Sequence, residues 1–480
     1  MSNNEIVQKL WNLCDVLRDD GINYSDYVTE LVLLLFIKME HENAQSGVMV
    51  GHKLPEEARW PAIAKLSGLN LLNHYRETLL DLSKSTDPLL AAIYADAQTR
   101  LKEPRHLEQL IRSIDAIDWF SAQRDGLGDL YEGLLEKNAT ETKSGAGQYF
   151  TPRPLIDSIV ALIDPQPGET VQDPAAGTAG FLIAADAYMK ARTDGYRDLK
   201  VEKQEFQRQK AFIGMELVPG TRRLALMNCM LHGMEGDEAG VVHLGNTLGS
   251  PGANLPKSDI ILSNPPFGTA KGGGGPTRDD FTFTTSNKQL AFLQHIYRHL
   301  KDEGRAAVVL PDNVLFESGV GAEIRRDLMD KCRLHTILRL PTGIFYAQGV
   351  KTNVLFFDKV SDNAEGATQE VWVYDLRANM PRFGKRTPLT RAHFAEFETA
   401  YRAATRTDQG EQGRFRRFTR DWIKERGDSL DIAWLKDDNA EDAADLPEPA
   451  VLAQEAVTEL EGALAELQAL LRELGEEVVE

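Results

Sequence analysis

The 480-residue sequence is poor in cysteine and has no long apolar run. Its cysteines, Cys14, Cys229 and Cys332, are widely spaced, which argues against a disulfide framework or a zinc site and favours a reducing, cytoplasmic setting. The longest apolar run, 31–37, is far too short to span a bilayer. The polar start at 2–5 lacks the pattern of a signal peptide. We therefore expect a protein without a membrane partner.

The sequence also lacks the basic excess that is typical of nucleic-acid-binding proteins, since its net charge is −19. The charges are unevenly distributed. Residues 441–480 hold twelve acidic side chains and a single basic one, whereas residues 382–426 hold twelve Lys or Arg against six Asp or Glu. This asymmetry predicts a basic face that could contact phosphates and a separate acidic arm. A solvated surface without partners is the alternative for each cluster.

The pattern of apolar residues divides the chain into parts of different type. Residues 1–142 read as an all-helical domain, because apolar residues recur at spacings of three and four. Residues 143–378 alternate strand-like runs with helical stretches, which predicts an α/β domain with a parallel sheet covered on both faces. The strand-like runs are 170–172, 211–215, 241–244, 259–263, 305–310, 334–340 and 352–357. The helical stretches are 154–163, 179–192, 218–233, 287–300 and 319–331.

The last hundred residues form two further segments. Residues 379–446 are basic and turn-rich, and we expect irregular or helical structure there. Residues 447–480 carry a heptad pattern that predicts a coiled-coil helix for subunit assembly. Its apolar positions are Ala453, Val457, Leu460, Leu464, Leu467, Leu471, Leu474 and Val478. A lone amphipathic helix folded back on its own domain is the alternative.

The stretch Ser263-Asn264-Pro265-Pro266-Phe267 follows the apolar run 259–262. Each proline fixes φ near −65° and cannot donate to a strand ladder, so the chain must leave the strand as a stiff turn. Such a turn offers carbonyl oxygens, a side-chain amide and an aromatic face, which together can bind a planar amine. A proline-stiffened loop without chemistry is the structural alternative.

A second stretch, Asp173-Pro174-Ala175-Ala176-Gly177-Thr178-Ala179-Gly180, follows the first predicted strand and opens a helix. Small residues allow a ligand to approach the backbone, and the start of a helix supplies N–H donors. The stretch departs from the dinucleotide-binding fingerprint because it contains no Gly-x-Gly-x-x-Gly.

Two polar residues follow the next two predicted strands. Glu216 could accept both hydroxyls of a ribose, or could be a solvated glutamate at a strand end. It lies 43 residues beyond Asp173, which exceeds the usual spacing of about twenty residues. The charged stretch 191–209 would account for this excess as an inserted helix or loop. Asn246 could face an adenine edge or could be an ordinary turn residue. Because carboxyl ends of parallel strands meet at one edge, we expect all four groups to line one ligand site.

This order of motifs resembles the S-adenosylmethionine-dependent methyltransferase fold, and Asn-Pro-Pro-Phe resembles the signature of amino-group DNA methyltransferases. Three further stretches resemble the modification subunit of type I restriction enzymes, a family of N6-adenine DNA methyltransferases. They are Gly147-Gln148-Tyr149-Phe150-Thr151-Pro152-Arg153, Leu310-Pro311-Asp312-Asn313-Val314-Leu315-Phe316, and Leu340-Pro341-Thr342-Gly343-Ile344-Phe345-Tyr346 with Asn353. The helical N-terminal domain and the coiled coil match that family too.

The resemblance implies a role for each motif. Asn264, Pro265, Pro266 and Phe267 would receive the target adenine. Phe345 or Tyr346 would close its other side, unless both are core residues. The cofactor contacts would come from Gln148, Tyr149, Phe150, Thr151, Pro152, Arg153, Asp173, Gly177, Thr178, Ala179, Gly180, Glu216 and Asn246. Many relatives carry Gly where this chain has Ala179, whose methyl should narrow the loop slightly but leave its N–H donors in place.

The resemblance also implies partners: DNA, a separate specificity subunit, a second copy of this chain and a restriction subunit with translocase and nuclease activity. A separate specificity subunit would explain the acidic net charge, because the reading of bases would lie elsewhere. No metal is implied. Two alternatives stay open, namely a methyltransferase that acts on another planar amine or amide in RNA or protein, and a non-catalytic scaffold that binds the cofactor.

Overall fold

The structure is a computed structural model that describes residues 3–22, 26–45, 53–117, 119, 127–141, 151–267, 276–345, 350–381, 383 and 387–436. Residues 1–377 and 381–434 form one compact unit, and 378–380 with 435–480 form a second. In the described ranges, no helix combines the length and apolar character that a membrane span needs. The predicted coiled coil at 447–480 lies outside the described residues.

The described residues before 142 form helices and turns, as predicted. These helices are α1 (Asn3–Asn12), α2 (Cys14–Asp19), α3 (Tyr27–Gln45), α4 (Trp60–Ala64), α5 (Gly68–Leu82), α6 (Pro88–Tyr94), α7 (Pro104–Asp115) and α8 (Leu127–Glu141). A short 3₁₀ helix spans Glu56–Ala58. Helix α3 is buried along most of its length, with Val32, Leu35 and Ile37 fully buried, so it forms the centre of this helical part.

The α/β part contains one nine-stranded sheet with the order β3-β2-β1-β4-β5-β7-β6-β8-β9. Its strands are β1 (Val171–Asp173), β2 (Phe212–Glu216), β3 (Val242–Leu244), β4 (Ser258–Ser263), β5 (Leu300–Pro311), β6 (Cys332–Arg339), β7 (Thr352–Lys359), β8 (Glu370–Asp375) and β9 (Phe415–Thr419). The seven predicted strands are all present within two residues of their predicted bounds, except that β5 begins at Leu300 and not at 305. The prediction missed β9 and did not count β8 as a strand.

The prediction that the sheet is parallel was wrong, because the sheet is mixed. Strands β1 to β5 pair in parallel, but β7 is antiparallel to both of its neighbours and β9 is antiparallel to β8. A parallel neighbour requires a crossover connection of a dozen or more residues, usually a helix. The connection from β6 to β7, residues 340–351, has only about a dozen residues, and its sequence has no helical pattern, so antiparallel pairing is favoured.

All five predicted helices of the α/β part are present. They are α9 (Arg153–Ile163), α10 (Gly180–Lys190), α12 (Pro219–Leu231), α14 (Lys288–His299) and α16 (Val320–Lys331). The charged stretch 191–209 contains the additional helix α11 (Val201–Gln209). Shorter helices are α13 (Ser250–Ala253), α15 (Asp312–Phe316), α17 (Ala395–Arg402) and α18 (Arg420–Glu425), and a 3₁₀ helix spans Arg391–Phe394.

The helical part and the sheet pack against each other through α12. The Arg223 guanidinium donates to the carbonyl of Ile93 at 2.8 Å, which anchors α12 to the end of α6. The Tyr131 hydroxyl of α8 donates to the carbonyl of Leu224 at 3.4 Å. One compact unit therefore contains both parts, and the boundary at 142 stays a prediction.

The basic segment 379–446 contributes β9 to the edge of the sheet, so the prediction of only irregular or helical structure there was incomplete. Many of its arginines have local partners. Arg420 pairs with Asp428 at 2.7 Å, Arg417 pairs with Glu370 at 3.4 Å, and Arg414 donates to the Asp375 carbonyl at 2.8 Å. These partners reduce the net positive potential that a phosphate would meet.

Candidate active site

The predicted motifs lie at one edge of the sheet because four parallel strands end there. The chain forms β1, β2 and β3 in succession on one side and then returns to β4 on the other side of β1. Ligands of open α/β sheets bind beside such a switch point. Ser263, at the end of β4, donates to the Asp173 carboxylate at the end of β1 over 2.8 Å. This bond joins the starts of the loops that follow the two strands.

Asp173 is an unusual buried carboxylate, with only 2% of its surface exposed. Its Oδ1 accepts from the Ser263 hydroxyl and from the Ala175 backbone N–H at 3.0 Å. Burial raises the pKa of Asp173 to about 7 despite these hydrogen bonds, and the nearby charge of Glu216 adds to the rise. Asp173 therefore accepts hydrogen bonds from both the glycine loop and the strand that leads into Asn264.

The glycine loop is open at Gly177, where φ is +54° and an added Cβ would meet no atom within 4 Å. The Gly177 N–H donates to Glu216 Oε2 at 3.1 Å. The carbonyl of Thr178 accepts from Asn228 Nδ2 at 3.0 Å. The loop is thus held from both sides while the face at Gly177 stays accessible to a ligand.

The expectation that the Ala179 methyl narrows the loop was wrong. Ala179 has φ +70° and is fully buried, so its methyl packs into the interior and does not narrow the open face of the loop. Its N–H donates to the Ala176 carbonyl at 2.7 Å and is already used. This left-handed conformation costs an alanine roughly 1–2 kcal/mol, which explains why glycine suits the position.

Glu216 ends β2 and is 9% exposed. Its two oxygens accept from the backbone N–H groups of Gly177 and of Val218, the latter at 2.8 Å. Burial raises the pKa of Glu216, and these N–H donors limit the rise. Beside this carboxylate, Leu217 is 61% and Leu244 is 50% exposed, although both are large apolar residues. A polar acceptor next to apolar surface suits a nucleoside.

Asn246 lies at the exposed end of β3, at the same edge as Glu216. Its side-chain oxygen accepts from the Leu248 backbone N–H at 3.0 Å, as in an ordinary asparagine turn. The adjacent Thr247 hydroxyl donates to the Pro174 carbonyl at 2.5 Å and links this turn to the glycine loop. The proximity of Asn246 to an adenine therefore remains a prediction.

The turn after β4 is fixed at two points. The Asn264 amide donates through Nδ2 to the Thr151 hydroxyl at 2.9 Å. The Pro266 carbonyl accepts from Gln289 Nε2 at 2.9 Å, and Gln289 is buried at the start of α14. Pro265 is buried, Pro266 is exposed and Phe267 is partly exposed. The amide plane and the turn therefore have defined orientations.

Phe345 packs against Phe267 with ring centroids 5.8 Å apart and planes at 78°. Such an edge-to-face contact stabilises an aromatic pair by about 0.5–1.5 kcal/mol beyond area burial. Phe345 is only 3% exposed, so it supports the Phe267 ring from within the core and does not form an opposite wall. Tyr346 lies outside the described residues.

The segment before the sheet is described from Thr151 onwards, whereas Gln148, Tyr149 and Phe150 lie outside the described residues. Arg153 begins α9, next to Pro152, and donates to Asp157 at 3.0 Å and to Glu132 of α8. These carboxylates raise its pKa against the opposing effect of burial. The guanidinium therefore joins the helical part to the sheet, and a contact with a cofactor remains a prediction.

Three residues at this edge were missed from the sequence: Leu217, Asn228 and Gln289. Leu217 could have been noticed as an apolar residue directly after the strand-end acid. Asn228 and Gln289 are polar residues on the buried faces of α12 and α14. A polar residue in an apolar helical stripe is a weak signal for a specific partner, and nothing in the sequence identifies that partner.

The sheet order, the switch point between β1 and β4, and the succession of glycine loop, acid and Asn-Pro-Pro-Phe turn define the fold of the class I S-adenosylmethionine-dependent methyltransferases. Comparison with known families narrows this class. The model described as "N-6 DNA Methylase" matches residues 122–442, which is more than half of the chain. The "HsdM N-terminal domain" matches residues 6–114, and "Type I restriction enzyme methylase subunit, C-terminal domain" matches residues 446–478.

Characterised relatives resemble the chain over almost its whole length. The methylase subunit of the type I restriction enzyme StySPI from Salmonella potsdam is 53% identical, and the alignment covers 99% of this chain and 96% of the relative. The EcoKI methylase subunit of Escherichia coli K12 gives the same identity and coverage. The crystal structure of the EcoKI M protein is similar with a TM-score of 0.59 and 48% identity, covering 98% of this chain and 97% of that one.

A second solved chain, from work on complex assembly and conformational transition of the type I restriction–modification system, has a TM-score of 0.73 and 28% identity over the full length of both chains. The chain described here belongs to the N-6 DNA methylase family and, within it, to the methylase subunits of type I restriction enzymes. It is an adenine-specific DNA methyltransferase of a restriction–modification system.

Proposed function

We propose that the methyl donor is S-adenosylmethionine and that it binds between the glycine loop and the carboxyl ends of β2 and β3. The residues present fit this group. The open position at Gly177 leaves room for it, Glu216 offers carboxylate oxygens for ribose hydroxyls, and exposed Leu217 and Leu244 offer apolar surface for its adenine. The observation that carries the proposal is the Ser263–Asp173 bond, which joins this loop to the strand that leads into Asn264.

Replacement of Glu216 by glutamine tests the cofactor assignment. An amide keeps the shape of the side chain but loses the charge and one acceptor oxygen, and hydrogen bonds to charged groups contribute roughly 1.5–3 kcal/mol each. We expect S-adenosylhomocysteine to bind about 10- to 100-fold more weakly by titration calorimetry. Glu169→Gln, at the opposite edge of the sheet, is the matched control and should leave the affinity unchanged. Equal affinities of Glu216→Gln and wild type would contradict the assignment.

We propose further that the target adenine leaves the duplex and enters the turn Asn264–Phe267. The exocyclic amine of adenine is a poor nucleophile because its lone pair is delocalised into the ring. Acceptance of its two N–H bonds by the Asn264 side-chain oxygen and the Pro265 carbonyl would favour a pyramidal nitrogen and free that lone pair. Thr151 and Gln289 support this role by fixing the amide plane and the turn.

When bound, S-adenosylmethionine supplies an electrophilic methyl group on a sulfonium sulfur. The task of the chain is to hold the amine in line with that group, so positioning and electrostatics provide most of the acceleration. Extraction of the base costs roughly a few kcal/mol, and stacking on the exposed part of Phe267 would offset some of this cost. Direct attack of the amine on that methyl group needs no covalent intermediate with the chain.

We infer that the chain works with a separate specificity subunit, a second copy of itself and a restriction subunit. We keep the domain boundaries 1–142, 143–378, 379–446 and 447–480 as a proposal; the family matches at 6–114 and 446–478 lie near the first and last of these domains, whereas the match at 122–442 also includes the basic segment. The local pairing of the arginines in that segment fits a chain that leaves base reading to a partner. Three buried free thiols fit a reducing, cytoplasmic setting.

Methyl transfer to duplex DNA by the chain with and without the specificity subunit tests this division of labour. We expect N6-methyladenine at one defined sequence with both subunits, and at least a hundredfold less with the chain alone. Binding of S-adenosylhomocysteine by the chain alone serves as the control for folding. Robust site-specific methylation by the isolated chain would refute the division, and transfer to RNA or protein acceptors instead would favour the alternative substrates.

A further inference from the structure

Arg377 follows β8 and is 9% exposed. Its guanidinium donates through Nε to the carbonyl of Leu340 at 3.0 Å and through Nη2 to the carbonyl of Thr352 at 2.8 Å. Leu340 is the residue at which the chain leaves β6, and Thr352 is the residue at which it enters β7. One side chain therefore holds both ends of the connection 340–352.

A half-buried carboxylate fixes this guanidinium in turn. Asp312, at the carboxyl end of β5, accepts from Arg377 Nη1 at 2.8 Å and from Nη2 at 2.9 Å, in the bidentate geometry that suits arginine. Asn353 Nδ2 also donates to Asp312, at 2.7 Å. Burial acts to raise the pKa of Asp312, but Arg377 and Asn353 hold it below its usual value. The carboxylate therefore stays charged at neutral pH.

The connection held by Arg377 carries Phe345, the residue that packs edge-to-face on Phe267. The orientation of the Phe267 ring thus depends on Phe345, and Phe345 depends on where the two ends of its connection lie. The Leu340 N–H donates to the Thr352 carbonyl at 3.0 Å, so the same two ends also meet directly. Arg377 is the only side chain in the described part of the molecule with hydrogen bonds to both of these carbonyls.

We propose that Arg377 is a positioning residue for the target base: together with Asp312 it sets Phe345, and through Phe345 it sets the ring of Phe267 on which the flipped adenine stacks. The inference rests on the proposed role of Asn264–Phe267. It gives a shared function to Asp312, Leu340 and Asn353, which meet in this network although they lie apart in the chain. None of these contacts involves the glycine loop or Glu216, so the effect should be confined to the base.

Arg377→Lys in the complex of this chain with its specificity subunit tests the inference. Lysine keeps the charge beside Asp312 but has no planar fork to hold a carboxylate and two separate carbonyls at once. We expect kcat for DNA methylation to fall at least tenfold while the affinity for S-adenosylhomocysteine changes less than twofold. With 2-aminopurine at the target adenine, the fluorescence of the bound DNA should differ from that of the wild-type complex, because the flipped base loses its fixed stacking surface.

Arg305→Lys is the matched control. Arg305 also pairs with a carboxylate, Glu169, and donates to two backbone carbonyls, those of Ile163 and Asp164, but it lies at the opposite edge of the sheet. The variant Arg305→Lys should lower the melting temperature about as much as Arg377→Lys does, without changing kcat or the 2-aminopurine signal. A similar loss of kcat in both variants, or unchanged kcat in Arg377→Lys, would overturn the proposal.

A double-mutant cycle with Phe345→Leu examines the route of the effect. If Arg377 acts through Phe345, the double variant should lose little more activity than the stronger single variant, whereas independent roles would multiply the losses. Should Arg377→Lys prevent assembly, Asp312→Asn tests the same pair more mildly and should also lower kcat at unchanged cofactor affinity. The proposed role of Asn264–Phe267 has its own test: a fully active Asn264→Ala complex would refute that role, independently of the result for Arg377→Lys.

Discussion

Asn264→Ala should lower kcat for DNA methylation by at least about 10²–10³-fold, the loss seen when one preorganised hydrogen-bonding group is removed from an active site. The substitution removes the acceptor for the amine of adenine and also the donor to Thr151, which helps to hold the turn. The hydrogen bonds described for the glycine loop and Glu216 do not involve this side chain, so S-adenosylhomocysteine should bind within twofold of the wild-type affinity. Transfer of a labelled methyl group to duplex DNA and calorimetry measure the two quantities.

Asn264→Asp provides a graded comparison. Aspartate keeps an acceptor oxygen but cannot donate to Thr151 when it is ionised, so we expect a smaller loss than for alanine. Asn254→Ala is the control, because Asn254 lies just before the opposite end of the same strand and is exposed. Wild-type kcat in Asn264→Ala would return the Asn-Pro-Pro-Phe turn to a purely structural role.

The position of the active-site motifs could be predicted because each lies directly after a strand. Asp173, Glu216 and Ser263 end β1, β2 and β4 in the structure, within a residue or two of the predicted strand ends. Carboxyl ends of neighbouring parallel strands must share an edge, so the order of the strands suffices to bring these residues together. The bond between Ser263 and Asp173 is a direct consequence of this neighbourhood.

The last strands could be predicted less well, because their signals are weaker. The segment 340–351 has no helical pattern, and that absence would have identified β7 as antiparallel. Strand β9 is a short edge strand rich in arginine, with the sequence Phe415-Arg416-Arg417-Phe418-Thr419, and local propensity does not separate it from a polar turn. Pairing with β8 decides its conformation, and that pairing is a tertiary contact.

The contacts that hold the site were beyond prediction for a related reason. Gln289 reaches Pro266 from 23 residues away, and Arg377 reaches Asp312 from 65 residues away. Each is one polar residue in an apolar or mixed stretch, and its partner is determined only when helices and strands pack. The functional residues at strand ends can therefore be predicted from one sequence, whereas the side chains that hold them in position cannot.

Asp173→Asn should stabilise the protein at pH 8 and have little effect below about pH 4. The pKa of Asp173 is about 7 in the folded chain, above the value near 3.9 expected when the chain is unfolded. Between these pH values the folded state binds the extra proton, so the wild-type protein loses stability as pH rises from about 4 to 7 and stays at the lower level above that. At 1.36 kcal/mol per pKa unit the full effect is about 4 kcal/mol.

Asparagine can keep both hydrogen bonds of Asp173, because its Oδ1 can accept from the Ser263 hydroxyl and the Ala175 N–H as the carboxylate does. Urea unfolding of both proteins from pH 5 to 8 should therefore give a free-energy difference that grows with pH in favour of the variant.

Asp259→Asn is the control of opposite sign, since Lys301 and Thr170 lower the pKa of Asp259 despite its partial burial. That variant should be less stable than wild type at pH 8, and the deficit should shrink as pH falls through the pKa of Asp259. A difference for Asp173→Asn that does not change with pH would contradict the raised pKa. Asp173 thus lowers the stability of the fold, yet it accepts hydrogen bonds at the start of both predicted ligand-binding loops. We expect this combination of a residue that is retained for function and not for folding.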